Sequence, residues 1–299
     1  MSTQAIKDKF KFRDRLINAI TTDGKFRVSI LKATNMVEDA RKRHQLNPVA
    51  THIMGELLIG TALSTSMLKG EERITLRLET DSAMKSAVAE GNALGEIRGY
   101  IANPSTAANG NTVSEIMSNT IGRGFLHVTK VLYGNSDPVT SSVDLRFSSI
   151  IEDLTYFYAQ SDQTPTSIRS GIAHNPDGSI KQAGGFLVQA LPDATEKDIK
   201  QMELNITSIP PLAEQLEKNI YVDEILKDVL LGYEFKELKR RPVDFYCSCS
   251  KERFELGLKS IGNLELTHMM NEGQQELTCH YCNEKYVFTS SEIEKLIEW

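Results

Sequence analysis

Cysteine is absent from the first 246 of the 299 residues, tryptophan occurs once, and neither sign of charge dominates. A formal net charge of −6 at pH 7 gives no electrostatic reason to expect binding to nucleic acid or to an anionic membrane. Long apolar runs are missing as well. The nearest candidate, residues 53–68, contains Glu56 and several Thr and Ser residues. It is shorter than the roughly 20 apolar residues that a transmembrane helix needs.

The amino-terminal residues are highly charged and lack the apolar core of a secretory signal peptide. We therefore expect a cytoplasmic protein, in a reducing compartment where disulfides do not normally persist. A length of 299 residues suggests two domains, or one domain with appendages.

Short strand-like and helix-like stretches are interspersed without a regular βαβ order, which favours an α+β fold over a doubly wound one. Strands are predicted at residues 12–20, 26–31, 73–78, 83–89, 96–101, 124–131, 142–147, 167–174 and 185–190, and helices near 36–43, 47–70 and 150–159. The second helix has Asn47 as its N-cap and Pro48 in its first turn, and Gly70 closes it. Its small and apolar residues predict burial against a sheet.

The pattern changes after residue 193 and becomes helical and broken as far as Tyr246, with Pro210 and Pro211 as an interruption. An apolar stripe at helical spacing follows, formed by Val222, Ile225, Leu226, Val229 and Leu230 and ended by Gly232. We interpret this stripe as packing against the neighbouring domain. The chain is accordingly divided into an N-terminal α+β domain (1–193), a helical linker (194–246) and a small C-terminal domain (247–299).

All four cysteines lie in the C-terminal segment, as Cys247-Ser248-Cys249 and Cys279-His280-Tyr281-Cys282, with 29 residues between the pairs. Two close pairs of this kind are typical of a tetrahedral four-thiolate site, for which Zn²⁺ is the leading ion. A segment of 53 residues is also too short for a hydrophobic core alone to stabilise it well. We therefore predict one zinc ion bound by Cys247, Cys249, Cys279 and Cys282.

The alternatives at these positions are inert buried thiols and an iron–sulfur cluster, for which other spacings are more typical. His268 and His280 are further possible ligands, although four thiolates make neither necessary. The surrounding sequence supplies a scaffold. Ser250 is a predicted helix N-cap, residues 276–281 and 285–288 form a predicted hairpin with the second pair at its turn, and Thr289–Glu292 reads as a capping box.

Thiolates that hold a metal are also nucleophiles toward peroxide or hypochlorous acid. Each close pair can form a local disulfide, which removes two ligands and releases the metal. Since structural zinc contributes about 10–16 kcal/mol of apparent binding free energy, its loss should unfold the segment. The linker would then loosen and expose its apolar stripe. The residues alone leave two hypotheses open, this redox switch and a static structural zinc module.

The sequence resembles the heat shock protein 33 family of molecular chaperones. The resemblance rests on Cys247-x-Cys249 followed by Ser250 to Arg253, on the 29-residue gap, and on Cys279-x-x-Cys282 followed by Tyr286-Val287-Phe288. Collinear motifs extend it over nearly the whole chain, at residues 22–24, 38–41, 68–70, 95–100, 161–163 and 183–186.

The resemblance implies a cytoplasmic, ATP-independent holdase that is not an enzyme and that oxidation activates. It implies zinc on the four thiolates of the reduced, inactive protein. On oxidation, one disulfide forms between Cys247 and Cys249 and another between Cys279 and Cys282, zinc is released and the linker unfolds. The activated protein, a homodimer, then holds unfolding client proteins.

Two other classes remain as alternatives. A zinc-ribbon nucleic-acid module is disfavoured because residues 194–299 contain 20 acidic and 13 basic residues, a net charge of −7. A thiol–disulfide oxidoreductase would place its CxxC at a helix N-terminus in a βαβ unit, not between two strand-like runs. His52 and Glu56 do not form an HExxH motif, and we interpret Arg98 as part of a structural ion pair.

Overall fold

The computed structural model describes residues 13–132, 137–218 and 220–297. It divides the chain into two compact units, which meet in sequence between Phe245 and Tyr246. Phe12, the first residue of the first predicted strand, lies outside the described residues. No helix among the described residues has both the length and the apolar character needed to cross a membrane.

The strands of the first unit form two sheets. They are β1 (Arg15–Thr21), β2 (Phe26–Lys32), β3 (Arg73–Thr80), β4 (Ser86–Asn92), β5 (Glu96–Ile101), β6 (Gly124–Val131), β7 (Val139–Asp144), β8 (Thr166–His174), β9 (Ile180–Ala190), β10 (Phe235–Pro242) and β11 (Asp244–Phe245). One sheet has the order β10-β1-β2-β9-β8 and the other β11-β5-β4-β3-β6-β7. All neighbouring strands are antiparallel except β11 and β5. The nine predicted strands correspond to β1–β9, so the α+β expectation is confirmed.

Seven helices are described in the first unit. They are α1 (Thr34–His44), α2 (Pro48–Ser64), α3 (Val113–Ile121), α4 (Ile150–Gln160), α5 (Glu196–Ser208), α6 (Leu212–Glu217) and α7 (Val222–Val229). Helix α3 was not predicted from the sequence, since its buried face consists of only three residues. The side chain of Thr112 caps α3 by accepting a hydrogen bond from the backbone N–H of Glu115.

Helix α2 is buried against strands of both sheets, as its composition predicts. Fourteen of its 17 residues are buried. Asn47 caps the helix by accepting a hydrogen bond from the N–H of Ala50 at 2.9 Å. The helix ends at Ser64, earlier than the predicted Gly70, and continues only as a 3-10 turn over Thr65–Met67. The hydroxyls of Ser64 and Thr65 donate to backbone carbonyls within this last turn.

The region predicted as a helical linker packs on the first sheet. Helices α5, α6 and α7 share one buried core with β1, β2 and β9. The five residues of the apolar stripe all belong to this core, with Ile225 and Val229 fully buried. The structure thus confirms that the stripe packs against the sheet. The division at residues 193 and 246 into three parts stays a prediction.

The end of this region differs from the helical expectation, because residues 235–242 form strand β10. This strand pairs antiparallel with β1, from Phe235 opposite Thr21 to Pro242 opposite Arg15. Its sequence, FKELKRRP, lacks apolar alternation because it is an edge strand whose residues 236–240 are exposed on both faces. Arg241 is an exception and is buried, where its guanidinium donates to the backbone oxygens of Thr65 and Ala93. The segment therefore lies in the sheet because it pairs with β1 and because the Arg241 guanidinium is hydrogen-bonded in the interior, not because of its own hydrophobic pattern.

Asp153 is a fully buried carboxyl near the start of α4. Its Oδ1 accepts hydrogen bonds from the backbone N–H groups of Arg146 at 2.8 Å and Phe147 at 3.2 Å. In the described part of the chain, its Oδ2 has no hydrogen-bond partner. Burial raises the pKa of this carboxyl from 3.8 to about 6, and the nearby Glu152 and Glu56 act in the same direction.

We therefore expect Asp153→Asn to stabilise the first unit at pH 7 by about 1–3 kcal/mol. The folded-state pKa lies above the unfolded value, so stability is lost as the pH rises from 3.8 through about 6, and the full penalty is present at pH 7. Near pH 4 the carboxyl is protonated when folded, and most of the gain should be lost. Urea unfolding at the two pH values measures this difference. Asp193→Asn, at an exposed position, is the control. A gain of equal size at both pH values would contradict the expectation.

Candidate metal centre

Over its described residues, 246–297, the second unit contains three helices and one hairpin. These are α8 (Lys251–Lys259), α9 (Asn263–Glu272), β12 (Gln275–Thr278), β13 (Lys285–Phe288) and α10 (Ser290–Glu294). Its hydrophobic core has six buried members, Leu258, Leu266, Phe288, Ile293, Leu296 and Ile297. Helix α9 was not predicted from the sequence, since Leu266 is its single buried residue. So small a core is marginal by itself, as the length of the segment suggested.

The first cysteine pair lies immediately before α8. Ser250 caps this helix as predicted, since its hydroxyl accepts a hydrogen bond from the N–H of Arg253 at 3.3 Å. The guanidinium of Arg253 also donates to the hydroxyl of Ser248, between the two cysteines, at 2.6 Å. The helix start thus fixes the loop that carries Cys247 and Cys249.

The second pair lies at the turn of the predicted hairpin, between β12 and β13. The N–H of Cys279 donates to the carbonyl of Glu284, and the N–H of Asn283 donates to the carbonyl of Cys279, both at 2.8 Å. Asn283 has a φ of 60°, a left-handed conformation that Asn tolerates better than most residues. The predicted capping box at Thr289 and Glu292 is present and begins α10 directly after the hairpin.

The four sulfur atoms converge on one point. They all lie within 4.8 Å of one another, with 3.8 Å between the sulfurs of Cys247 and Cys279 and 3.3 Å between those of Cys249 and Cys282. Each short distance joins one cysteine of the first pair to one of the second. A tetrahedral site with metal–sulfur bonds of about 2.3 Å separates its sulfurs by about 3.8 Å. The cluster is therefore close enough to bind a metal ion, and its donor set fits a tetrahedral thiophilic cation.

Besides the neighbouring thiols, backbone N–H groups and one side-chain hydroxyl donate hydrogen bonds to the sulfurs. The sulfur of Cys279 accepts from the backbone N–H groups of Tyr281 and Cys282, and that of Cys282 from the N–H of Glu284. The sulfur of Cys249 accepts from the side-chain hydroxyl of Tyr286 at 3.2 Å. The sequence analysis assigned no role to Tyr286, and no spacing rule identifies it. Its position depends on the hairpin register, which places it opposite Leu277.

The surroundings of the sulfurs act on their protonation in opposite directions. Burial raises the pKa of the Cys279 and Cys282 thiols. Burial acts the same way on Cys249, but hydrogen bonds from Tyr286 and the neighbouring thiols outweigh it and lower the pKa of that thiol. Four thiolates this close together repel one another, so that a cation is required to keep all of them ionised.

Other residues singled out in the sequence lie outside this cluster. Within the described residues, the convergent group contains the four cysteines and neither His268 nor His280. Arg98 forms an ion pair with Glu90 at 2.7 Å, which confirms its structural interpretation. The Nε2 atom of His52 lies 3.9 Å from the Glu56 carboxylate, whose oxygens accept hydrogen bonds from the start of α4.

The fold and the cluster together define a two-unit protein, with a two-sheet α+β unit followed by a small four-cysteine unit. A family model described as "Hsp33 protein" matches residues 14–289. The chain belongs to this family, as its cysteine motif and collinear segments suggested. The family is one of chaperones and not of enzymes.

Individual relatives agree with this assignment. The 33 kDa chaperonin of Bacillus velezensis is 37% identical over 286 residues, covering 95% of this chain and 98% of the relative. That of Desulforamulus reducens is 35% identical over 288 residues, covering 96% and 98%. A crystal structure of the 33 kDa chaperonin from Thermotoga maritima, described as a heat shock protein 33 homolog, superposes with a TM-score of 0.87. It is 31% identical, and the match covers 95% of this chain and 97% of that one.

Proposed function

We propose that this chaperone is an ATP-independent holdase that is inactive while its four cysteines are reduced and bind zinc, and active once they are oxidised. The observation that carries the proposal is the convergence of four sulfurs within 4.8 Å in a unit whose described residues, 246–297, have a hydrophobic core of six buried side chains. The stability of such a unit depends on its ligands, and the same sulfurs are the atoms that oxidants attack.

Zinc is the proposed ion because four thiolates in close pairs are its preferred structural ligand set. Cys247, Cys249, Cys279 and Cys282 are the proposed ligands, one ion per chain. When bound, zinc supplies positive charge that keeps the sulfurs ionised and joins the two halves of the unit. The residues around them hold the sulfurs in place through the Ser250 cap and the hairpin turn.

Oxidation consumes the ligands in pairs. In each pair two thiolates give up two electrons and become one disulfide, and one hydrogen peroxide takes up these electrons with two protons to become two waters. The proposed disulfides join Cys247 to Cys249 and Cys279 to Cys282. A pair joined in this way no longer supplies two thiolate ligands, so the unit loses the bonds that stabilise it.

The proposed client-binding state is one in which the linker region has also loosened. Cys247 follows the last strand of the first unit by only two residues. If the second unit unfolds, the unfolded segment would therefore start directly after β11 in the sequence. Release of α7 would expose the apolar stripe, and such a surface binds the exposed apolar segments of unfolding proteins. We further propose that the oxidised form is a homodimer and that the protein acts in the cytoplasm, where thiols stay reduced until oxidative stress.

Treatment of the reduced, zinc-loaded protein with hydrogen peroxide under mild heat tests this function. We expect release of one zinc ion per chain, loss of four titratable thiols, and a change from little to strong suppression of client aggregation in a light-scattering assay. Protein treated with catalase-quenched peroxide is the control. Zinc release without gain of anti-aggregation activity would leave only a static metal module. The absence of zinc from the reduced protein would overturn the site itself.

A further inference from the structure

Tyr286 donates a hydrogen bond from its hydroxyl to the sulfur of Cys249 across 3.2 Å. The two residues belong to different parts of the second unit. Cys249 lies in the loop before α8, whereas Tyr286 lies on β13, in the hairpin that carries the other cysteine pair. This hydrogen bond thus connects one ligand pair to the scaffold of the other.

The position of the Tyr286 hydroxyl is fixed by two contacts of its side chain and backbone. Its ring packs on that of Phe254 in α8, with 4.9 Å between ring centroids and planes tilted by 39°. Its backbone pairs with Leu277 across the hairpin. Phe254, Leu277 and Tyr286 all pack against the core of the unit. The ring can therefore stay in place when only the hydroxyl is removed.

A side-chain donor differs from the backbone donors of the second pair. The N–H groups that bond to Cys279 and Cys282 belong to the turn itself, so no substitution removes them selectively. The donor to Cys249 is the hydroxyl of a separate side chain, Tyr286. This hydrogen bond can therefore be weakened or removed by a substitution that leaves the backbone of the Cys249 loop unchanged. Partners of this kind, outside the ligand set, orient ligands and tune metal affinity.

We propose that Tyr286 is a positioning residue for the redox reaction, in which its hydroxyl holds the Cys249 sulfur and slows the oxidation of the first cysteine pair. A hydrogen bond to a thiolate draws on the same sulfur lone-pair density that attacks an oxidant. Its presence therefore lowers the nucleophilicity of Cys249 while it orients the sulfur toward the metal. This inference rests on the proposed function and adds to it a residue that sets the threshold of the switch.

The reaction that Tyr286 would slow has two steps. The Cys249 thiolate attacks hydrogen peroxide, and with one proton it gives a sulfenic acid and one water. The Cys247 thiolate then attacks that sulfenic sulfur, and with a second proton it gives the disulfide and a second water. The first step uses electron density of the Cys249 sulfur, the atom that accepts the Tyr286 hydrogen bond.

Tyr286→Phe tests the proposal because it removes the hydroxyl and retains the ring that packs on Phe254. The reduced variant should bind zinc about tenfold more weakly in a chelator competition. Its zinc release in excess peroxide, followed with a metal-sensitive dye, should be faster by about threefold or more. Mass spectrometry of samples alkylated at early times should show that the additional oxidation is at Cys247 and Cys249.

Tyr246→Phe is the matched control, since it makes the same change in a half-exposed tyrosine beside Cys247 and should leave both quantities within twofold. Phe254→Leu keeps the hydroxyl but removes the ring that positions it, and we expect a smaller acceleration. If Tyr286→Phe does not fold with zinc, the rate of zinc release from Phe254→Leu in peroxide tests the proposal instead. A rate equal to that of the wild-type protein overturns it. Unchanged affinity and rate in a folded Tyr286→Phe overturn it too. A wild-type protein that releases no zinc on oxidation refutes the proposed function itself.

Discussion

Replacement of Cys282 by Ala in the reduced protein is expected to unfold residues 246–297 and to leave the first unit folded. Loss of one of four thiolates should abolish tight zinc binding, which contributes about 10–16 kcal/mol of apparent free energy in small zinc modules. The six buried side chains of the hydrophobic core cannot compensate for the loss of this binding free energy, because whole domains are stable by only about 5–15 kcal/mol.

Hydrogen exchange with peptide resolution measures this outcome. Amides of α8, β12 and β13 should lose protection in Cys282→Ala, while those of β1, β2 and β9 keep it. His280→Ala is the control, because it alters the same turn without removing a sulfur and should retain one zinc per chain. Protection of the hairpin in a metal-free Cys282→Ala protein would show that the unit folds without its ligands. Loss of zinc from His280→Ala would instead add that histidine to the site.

The cluster could be predicted from the sequence because its determinants are local. Two cysteines two or three positions apart can face one ion whatever the rest of the chain does, and only the meeting of the two pairs depends on the fold. Ser250 and the Thr289–Glu292 capping box were predictable for the same reason, since both are bonds made within four residues.

Tyr286 could not be assigned a role in this way. Its contact with Cys249 requires the register of the hairpin and the packing of α8 against it, and neither follows from a spacing of residues. Strand β10 escaped prediction for a related reason. It lacks apolar alternation because its residues 236–240 are exposed on both faces and most of them are charged, and its position depends on pairing with β1 and on the buried Arg241. Helix α2, by contrast, was predicted correctly except for its C-terminal end, because burial on all sides requires an apolar composition throughout.

Helix α7 is the part of the linker region in which a single substitution should have the largest effect. Ile225 is fully buried in the core that α7 shares with β1, β2 and β9. We expect Ile225→Ala to lower the free energy of unfolding of the first unit by about 2–5 kcal/mol, through lost burial and the cavity left behind. The equilibrium between a docked and a released α7 should shift by a comparable amount, because this face is the one the helix buries.

Urea unfolding of the reduced protein measures the loss of stability, and hydrogen exchange of α7 shows whether the helix has been released. Lys227→Ala is the matched control, since it truncates an exposed side chain of the same helix and should change the stability by less than about 0.5 kcal/mol.

The consequence for activity follows from the same packing. If the apolar stripe of α7 belongs to the client-binding surface, reduced Ile225→Ala should suppress client aggregation partly, with zinc still bound and all four thiols titratable. Chaperone activity would then be separated from oxidation, because release of α7 would no longer require unfolding of the second unit. A variant with a released α7 and no activity while reduced would place the client-binding surface elsewhere, since the exposed stripe alone would have proved insufficient.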